Sequence, residues 1–161
     1  MAERLNLVDE LRLVTGTLSA SGVEYAICGG CAVVIYGYVR ATKDIDILVN
    51  EGDVERVLEV LARVGFTLRA GPIPFSAGTP EERRLYRATK VVVNDSLTID
   101  LVVVTPILED AWRDRQTLEW SGRTLSVVSR AGLARMKRLA GRPQDVADLA
   151  MLGLEVKADE D

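Results

Sequence analysis

The sequence contains no histidine. That absence excludes Ser-His and Cys-His nucleophile systems and every imidazole metal site, so a bound metal must rest on carboxylates or thiolates. Cysteine occurs only as Cys28 and Cys31, too few to complete a four-ligand zinc site within one chain. Aromatic residues are scarce, and Trp112, Trp120 and Tyr86 read as packing residues. No apolar run reaches the roughly 18 residues of a membrane-spanning helix, and the N-terminal MAERLNLVDEL lacks the apolar core of a signal peptide. A cytoplasmic protein with no membrane contact is expected. Positive charge is not in excess either: the net charge of −4 argues against coating nucleic acid by charge alone, while leaving a local basic groove open. There is no internal repeat and no low-complexity segment.

What is present is an ordinary globular composition. With 161 residues, 48% of them apolar, the chain can bury a sizeable core in one domain, expected over residues 1–155 with an acidic tail at 156–161. Helical spacing of Leu5, Val8, Leu11, Val14 and Leu18 predicts a helix over 3–20. Val23–Cys28 reads as a short strand, followed by Gly29, Gly30 and a short helix that stops at Gly37. A second strand runs through Ile45–Val49 with Asp44 at its head. Asp53 then reads as the N-cap of a helix over 54–64, and residues 66–70 as a further strand. Residues 71–82 hold three of the five prolines and read as a mobile loop that covers the site. Tyr86–Val93 is rich in strand formers. After a turn at Asn94-Asp95, Leu97–Val104 is β-branched and reads as a central strand. Pro106 marks a helix start. Residues 117–128 read as a hairpin about Ser121-Gly122, Ser129 as the N-cap of a helix over 130–140, and Pro143 as the start of a last helix to 152. The fold class is mixed α/β or α+β: a small mixed sheet flanked by helices, with helices at the C-terminus.

Chemistry concentrates between Cys28 and Val49. In a strand, residues i and i+2 share a face, so Asp44 and Asp46 stand side by side while Ile45 and Ile47 enter the core. By the same alternation Ile99 and Leu101 turn inward and Asp100 turns with Thr98 to the opposite face. Aspartate is ill suited to apolar strands, and an unpaired buried charge is costly. Carboxylates drawn together repel, and a divalent cation with oxygen ligands relieves them. Two Mg²⁺ ions, roughly 3.5–4 Å apart, are the common device for in-line phosphoryl or nucleotidyl transfer. The alternative is that these aspartates are merely solvated at strand ends or paired with arginine. Gly29-Gly30, between a strand and a short helix, permits close backbone approach by a phosphate; an ordinary tight turn is the alternative there.

The pattern G-G-x-A, a short helix, Y-G, then R-x-T-x-D-I-D-I-L-V, with a third aspartate on a later strand, resembles the nucleotidyltransferase fold in its small bacterial form. It is similar to the minimal nucleotidyltransferases and to the nucleotidyltransferase-type toxins of abortive-infection toxin–antitoxin systems. The late run K-R-L-A-G-R-P-Q-D-V-A-D-L resembles the toxin-like branch, and the likeness covers residues 23–152. It implies that Asp44, Asp46 and Asp100 hold two Mg²⁺ ions and are catalytic, with Asp100 helping to deprotonate a hydroxyl acceptor. Gly29 and Gly30 would cradle the triphosphate. Gly29-Gly30 stands where many members have Gly-Ser, without that hydroxyl. Arg40 and Thr42 fit phosphate contacts, Arg40 equally an aspartate partner, and Lys137 either a triphosphate contact or part of a solvated basic face. The implied activity moves NMP from an NTP to a hydroxyl on a protein, an RNA 3′ end or a small molecule, with an antitoxin or other protein as partner.

Asp145 and Asp148 share one face of the last helix and are expected to pair with Arg142 or Lys137. Two other readings stay open. One is an inactive nucleotide-binding or protein-interaction module. The other is a redox protein using Cys28-Gly-Gly-Cys31, which lacks the usual proline of such motifs; small buried core cysteines are the plainer account.

Overall fold

A computed structural model describes residues 4–38 and 42–153. Its elements in order are α1 (Leu7–Ala20), β1 (Ala26–Cys28), α2 (Gly29–Ile35), β2 (Asp44–Val49), α3 (Val54–Arg63), β3 (Leu68–Phe75), β4 (Arg83–Val92), β5 (Asp95–Val103), α4 (Glu109–Arg113), β6 (Gln116–Trp120), β7 (Arg123–Val127), α5 (Arg130–Ala140) and α6 (Pro143–Leu152). The seven strands form one sheet in the order β3-β4-β5-β2-β1-β7-β6. It is mixed: β2–β5 and β1–β7 are parallel, and the remaining neighbours are antiparallel. The expected mixed sheet flanked by helices is the observed one.

Alternation along β2 and β5 sets the two faces. Ile45, Ile47, Ile99 and Leu101 are fully buried in one core cluster with Val14 and Leu18 of α1 and Val57 and Leu61 of α3. Burying each such side chain stabilises the fold by about 1.5–3 kcal/mol. The opposite face of the same strands carries Asp44, Asp46 and Asp100. Near it, α2 packs on β2 and on α5, and α5 packs on α4 and α6. Trp112, Trp120 and Tyr86 pack against the core as expected.

Several boundaries differ from the sequence reading. The first helix starts at Leu7, where the Asn6 side chain accepts from the Asp9 N–H. The first strand is only Ala26–Cys28. Asp53 makes no side-chain cap, because a 3-10 turn over Glu51–Asp53 already leads into α3. The largest correction concerns residues 71–82. Residues 71–75 are strand, not loop, and continue β3 through an irregular register between Ala70 and Ile73. Pro72 and Pro74 are tolerated there because β3 is an edge strand, where the lost N–H faces no partner. The C-terminal helices follow expectation. The Ser129 side chain accepts from the Gly132 N–H, Gly141 ends α5 at φ 62°, and Pro143 opens α6. The acidic tail at 156–161 lies outside the described residues.

Candidate active site

The site begins with register. Parallel pairing sets Asp46 directly beside Asp100, and Asp44 beside Thr98. Antiparallel pairing sets Cys28 beside Asp46 from the other side. Three adjacent strands therefore place the β1–α2 turn, Asp46 and Asp100 in a row. Strands lie about 4.8 Å apart, so the row is short enough for one ligand to touch all of it.

Gly29 is fixed by this arrangement. Its φ is +63°, and a Cβ built on it would lie 1.9 Å from Asp46 Oδ2. Sequence reasoning ascribed the glycine to close approach by a ligand; the group that approaches is first of all Asp46. Gly30 is buried in the first turn of α2.

Burial pushes the Asp46 carboxyl from 3.8 up to about 7, with the Asp100 charge next in weight and Asp44 adding to it; Lys137 and Arg142 pull the other way. Burial also raises Asp100, opposed by the hydrogen bond and charge of Arg87. Arg87 Nε donates to Asp100 Oδ1 at 2.9 Å, the two residues being register partners across β4 and β5. Burial pushes the Cys28 thiol well up, with Asp46 the next cause. Both cysteines are buried and neither forms a disulfide, and Cys31 Sγ donates to the Asp44 carbonyl at 3.5 Å.

A cleft of about 470 Å³ is lined by Gly29, Gly30, Thr42, Asp44, Asp46, Asp100 and Lys137. The structure thus brings together every candidate residue named from sequence except Arg40, which lies outside the described residues. Thr42 Oγ1 donates to the Asp44 carbonyl at 3.2 Å, so its hydroxyl holds the entry to β2. Lys137 is not on a solvated basic face. It is buried, with Nζ 3.2 Å from Asp145 Oδ1 and 2.8 Å from Asp148 Oδ2. Arg142 Nε adds a bond to Asp145 Oδ2 at 2.8 Å. The expected pairing of Asp145 and Asp148 is the observed one, and it locks α5 to α6 beside the cleft.

Among the described residues, no three or more Cys, Asp or Glu side chains converge as a ready-made metal cluster. Asp100 instead turns to Arg87. The three carboxylates nonetheless suit a hard divalent cation, two of them held above their ordinary range, Asp46 by burial with the charges of Asp100 and Asp44, and Asp100 by burial with the charge of Asp44. Arg87 went unnoticed in the sequence because its relation to Asp100 is one of strand register. The cleft wall formed by Phe75, Arg83 and Leu85 was hidden by reading residues 71–82 as loop.

Comparison with known proteins matches residues 1–133 to a family described as uncharacterised nucleotidyltransferases. A search of curated proteins returned no match. Among solved structures, the lincosamide antibiotic adenylyltransferase LnuA, lincomycin-bound, aligns at a TM-score of 0.61 and 16% identity, over 94% of this chain and 98% of its own. A Thermotoga maritima protein described as a nucleotidyltransferase aligns at 0.60 and 15% identity, covering 89% of each chain. ANT(2")-Ia in complex with adenylyl-2"-tobramycin aligns at 0.59 and 12% identity, over 90% of this chain and 86% of its own. At these identities the likeness is one of fold.

Proposed function

The chain belongs to the family of uncharacterised nucleotidyltransferases, and from that premise we propose that its cleft moves NMP from an NTP to an acceptor hydroxyl in a Mg²⁺-dependent reaction. The observation that carries this reading is that Gly29, Asp44, Asp46 and Asp100 line one cleft.

Asp44, Asp46 and Asp100 would hold the divalent ions. Such ions, when bound, polarise the phosphate and stabilise charge on the leaving group. The β1–α2 turn, with Gly29 and Gly30, would seat the β- and γ-phosphates, with Thr42 beside the entry to β2; a phosphate contact by Arg40 rests on the resemblance. The acceptor oxygen forms a bond to the α-phosphorus, the bond from that phosphorus to the bridging oxygen breaks, and pyrophosphate leaves with the electron pair. The hydroxyl proton passes to Asp100 and then to water. Raised carboxyl values at Asp46 and Asp100 suit groups that exchange a proton for a cation or a substrate. Lys137 contributes as part of the α5–α6 lock, its charge already shared by Asp145 and Asp148.

No helix of the described residues is long and apolar enough to cross a membrane. A toxin–antitoxin role rests on the resemblance alone. An inert module would have no use for three carboxylates kept in apolar strands at an electrostatic cost.

The test is calorimetric titration of non-hydrolysable ATP and GTP analogues, with Mg²⁺ and with EDTA. Binding that needs Mg²⁺ and disappears in Asp46→Asn supports the reading. Equal binding in EDTA, or an Asp46→Asn enzyme with full transfer activity, overturns it.

A further inference from the structure

The floor of the cleft extends well beyond the carboxylates, and its register gives that extension a direction. Across β5, β4 and β3 the directly paired residues are Asp100 with Arg87, Val102 with Leu85, Leu85 with Ile73, and Arg83 with Phe75. Paired residues share a face, and so do i and i+2. The carboxylate face therefore continues from Asp100 to Arg87, over an apolar step at Leu85 and Val102, to Arg83 and Phe75 at the sheet edge. All except Ile73 line the same cleft. Arg83 lies over the Phe75 ring, 5.7 Å from its centroid, and Phe75 is exposed. Arg84 also lines the cleft, but it stands at the alternate strand position and its guanidinium is paired with both Glu51 and Glu82.

An in-line displacement places the incoming hydroxyl opposite the departing pyrophosphate. With pyrophosphate over Gly29 and Gly30 at β1, the acceptor must approach from the β5–β4 side. This step rests on the proposed reaction. The acceptor side is then the strip that carries Arg87, Arg83 and Phe75. Guanidinium groups match phosphate oxygens in a fork geometry, and an exposed aromatic beside an arginine is a stacking platform for a base. Arg83 and Arg87 are four residues apart on one strand, about 13 Å, a span that exceeds a single phosphate. A polycationic acceptor would meet two arginines here.

We infer that the acceptor is a phosphate-bearing hydroxyl compound, recognised through Arg87 and Arg83 with Phe75 stacking on its base or ring. Two sources share this chemistry, the 3′ end of a single-stranded nucleic acid and a small nucleotide.

The test measures acceptor and NTP binding separately. Fluorescence anisotropy of a labelled single-stranded RNA hexamer is recorded across a salt series, with unlabelled AMP and tobramycin as competitors. Calorimetry with a non-hydrolysable NTP runs in parallel. Wild type should bind the hexamer, and Arg83→Gln should weaken it at least fivefold with a salt slope reduced by about 1, with NTP affinity unchanged. Phe75→Ala should weaken hexamer binding without changing the salt slope. AMP competing as well as unlabelled hexamer assigns the small nucleotide; hexamer alone competing assigns the nucleic-acid end. Unchanged hexamer binding in both variants overturns the inference, as does tobramycin binding tighter than either phosphate compound. Loss of NTP binding by wild type would instead count against the proposed reaction, which keeps the two failures apart.

Discussion

Replacing Asp46 by asparagine should stabilise the metal-free protein, and by an amount that grows with pH. Asp46 titrates near 7 in the fold against 3.8 ordinarily. For a carboxyl raised in the folded state, the unfolded chain ionises first. Stability is therefore lost as pH climbs from the ordinary carboxylate value to the folded one, and the loss is complete above about 7. Each pKa step is worth about 1.4 kcal/mol, so the penalty is about 0.6 kcal/mol at pH 4 and approaches about 4 kcal/mol at pH 8. Asparagine keeps the shape beside Gly29 and has no charge to desolvate. Urea unfolding of both proteins in EDTA, from pH 4 to 8, should give curves that diverge upward, by an amount equal to about 8–16 °C in Tm at the alkaline end for a chain of this size. Adding Mg²⁺ should then raise wild type and leave Asp46→Asn unmoved. A difference flat with pH, or an asparagine variant less stable at pH 8, would refute the argument that burial and Asp100 load this carboxyl.

Gly29→Ala meets both a left-handed φ and the Asp46 carboxylate; it should cost roughly 1–3 kcal/mol for the backbone alone and abolish NTP binding, read by thermal unfolding and calorimetry. Lys137→Met leaves Asp145 and Asp148 buried without their shared cation and should destabilise by roughly 3–5 kcal/mol, seen as a shift in the urea midpoint. Burial tends to raise Asp145, but the Arg142 hydrogen bond, the Lys137 charge and the Arg142 N–H outweigh it and hold it below its ordinary value. Its stabilisation is present above the ordinary carboxylate range and is lost as pH falls through the lowered value, so Asp145→Asn should flatten the acid limb of the stability profile. Cys28→Ser should retain transfer activity, and native wild type should react slowly with a thiol reagent, because Cys28 is buried with its thiol pushed up. Fast labelling together with an inactive serine variant would revive the redox reading.

The parts of the fold that could be read in the chain are those with a local cause. Ser129, Gly141 and Pro143 each act on their own backbone, so α5 and α6 were placed to the residue. The alternation in D-I-D and T-I-D-L carries its own face assignment, and Ile45, Ile47, Ile99 and Leu101 are buried as that requires. Residues 71–75 failed for a complementary reason. Two prolines in five residues argue against a strand unless the strand lies at an edge, and whether it does depends on sheet order, which no window of sequence contains.

The same division runs through the site. Asp44, Asp46, Asp100 and Gly29 were legible because each violates a local expectation: charge in apolar strands, or glycine where a strand turns into a helix. Arg87 violates nothing, as an arginine on a half-exposed strand is ordinary, yet its register with Asp100 makes it the counter-charge of the third carboxylate. Lys137 reads in the sequence as either a triphosphate contact or part of a solvated face, and its two partners on the next helix rule out only the solvated face. These hidden partners also explain how the cleft tolerates its charge. Arg87 opposes Asp100, Lys137 and Arg142 draw Asp46 down, and Asp145 with Asp148 occupies Lys137. Asp46 is the carboxyl raised furthest, since Lys137 and Arg142 only partly offset its burial and the charges of Asp100 and Asp44. A cation that binds there competes chiefly with a proton, whereas at Asp100 it competes with the Arg87 guanidinium. That competition makes Arg87 free to meet an incoming phosphate only once Asp100 has found another positive partner.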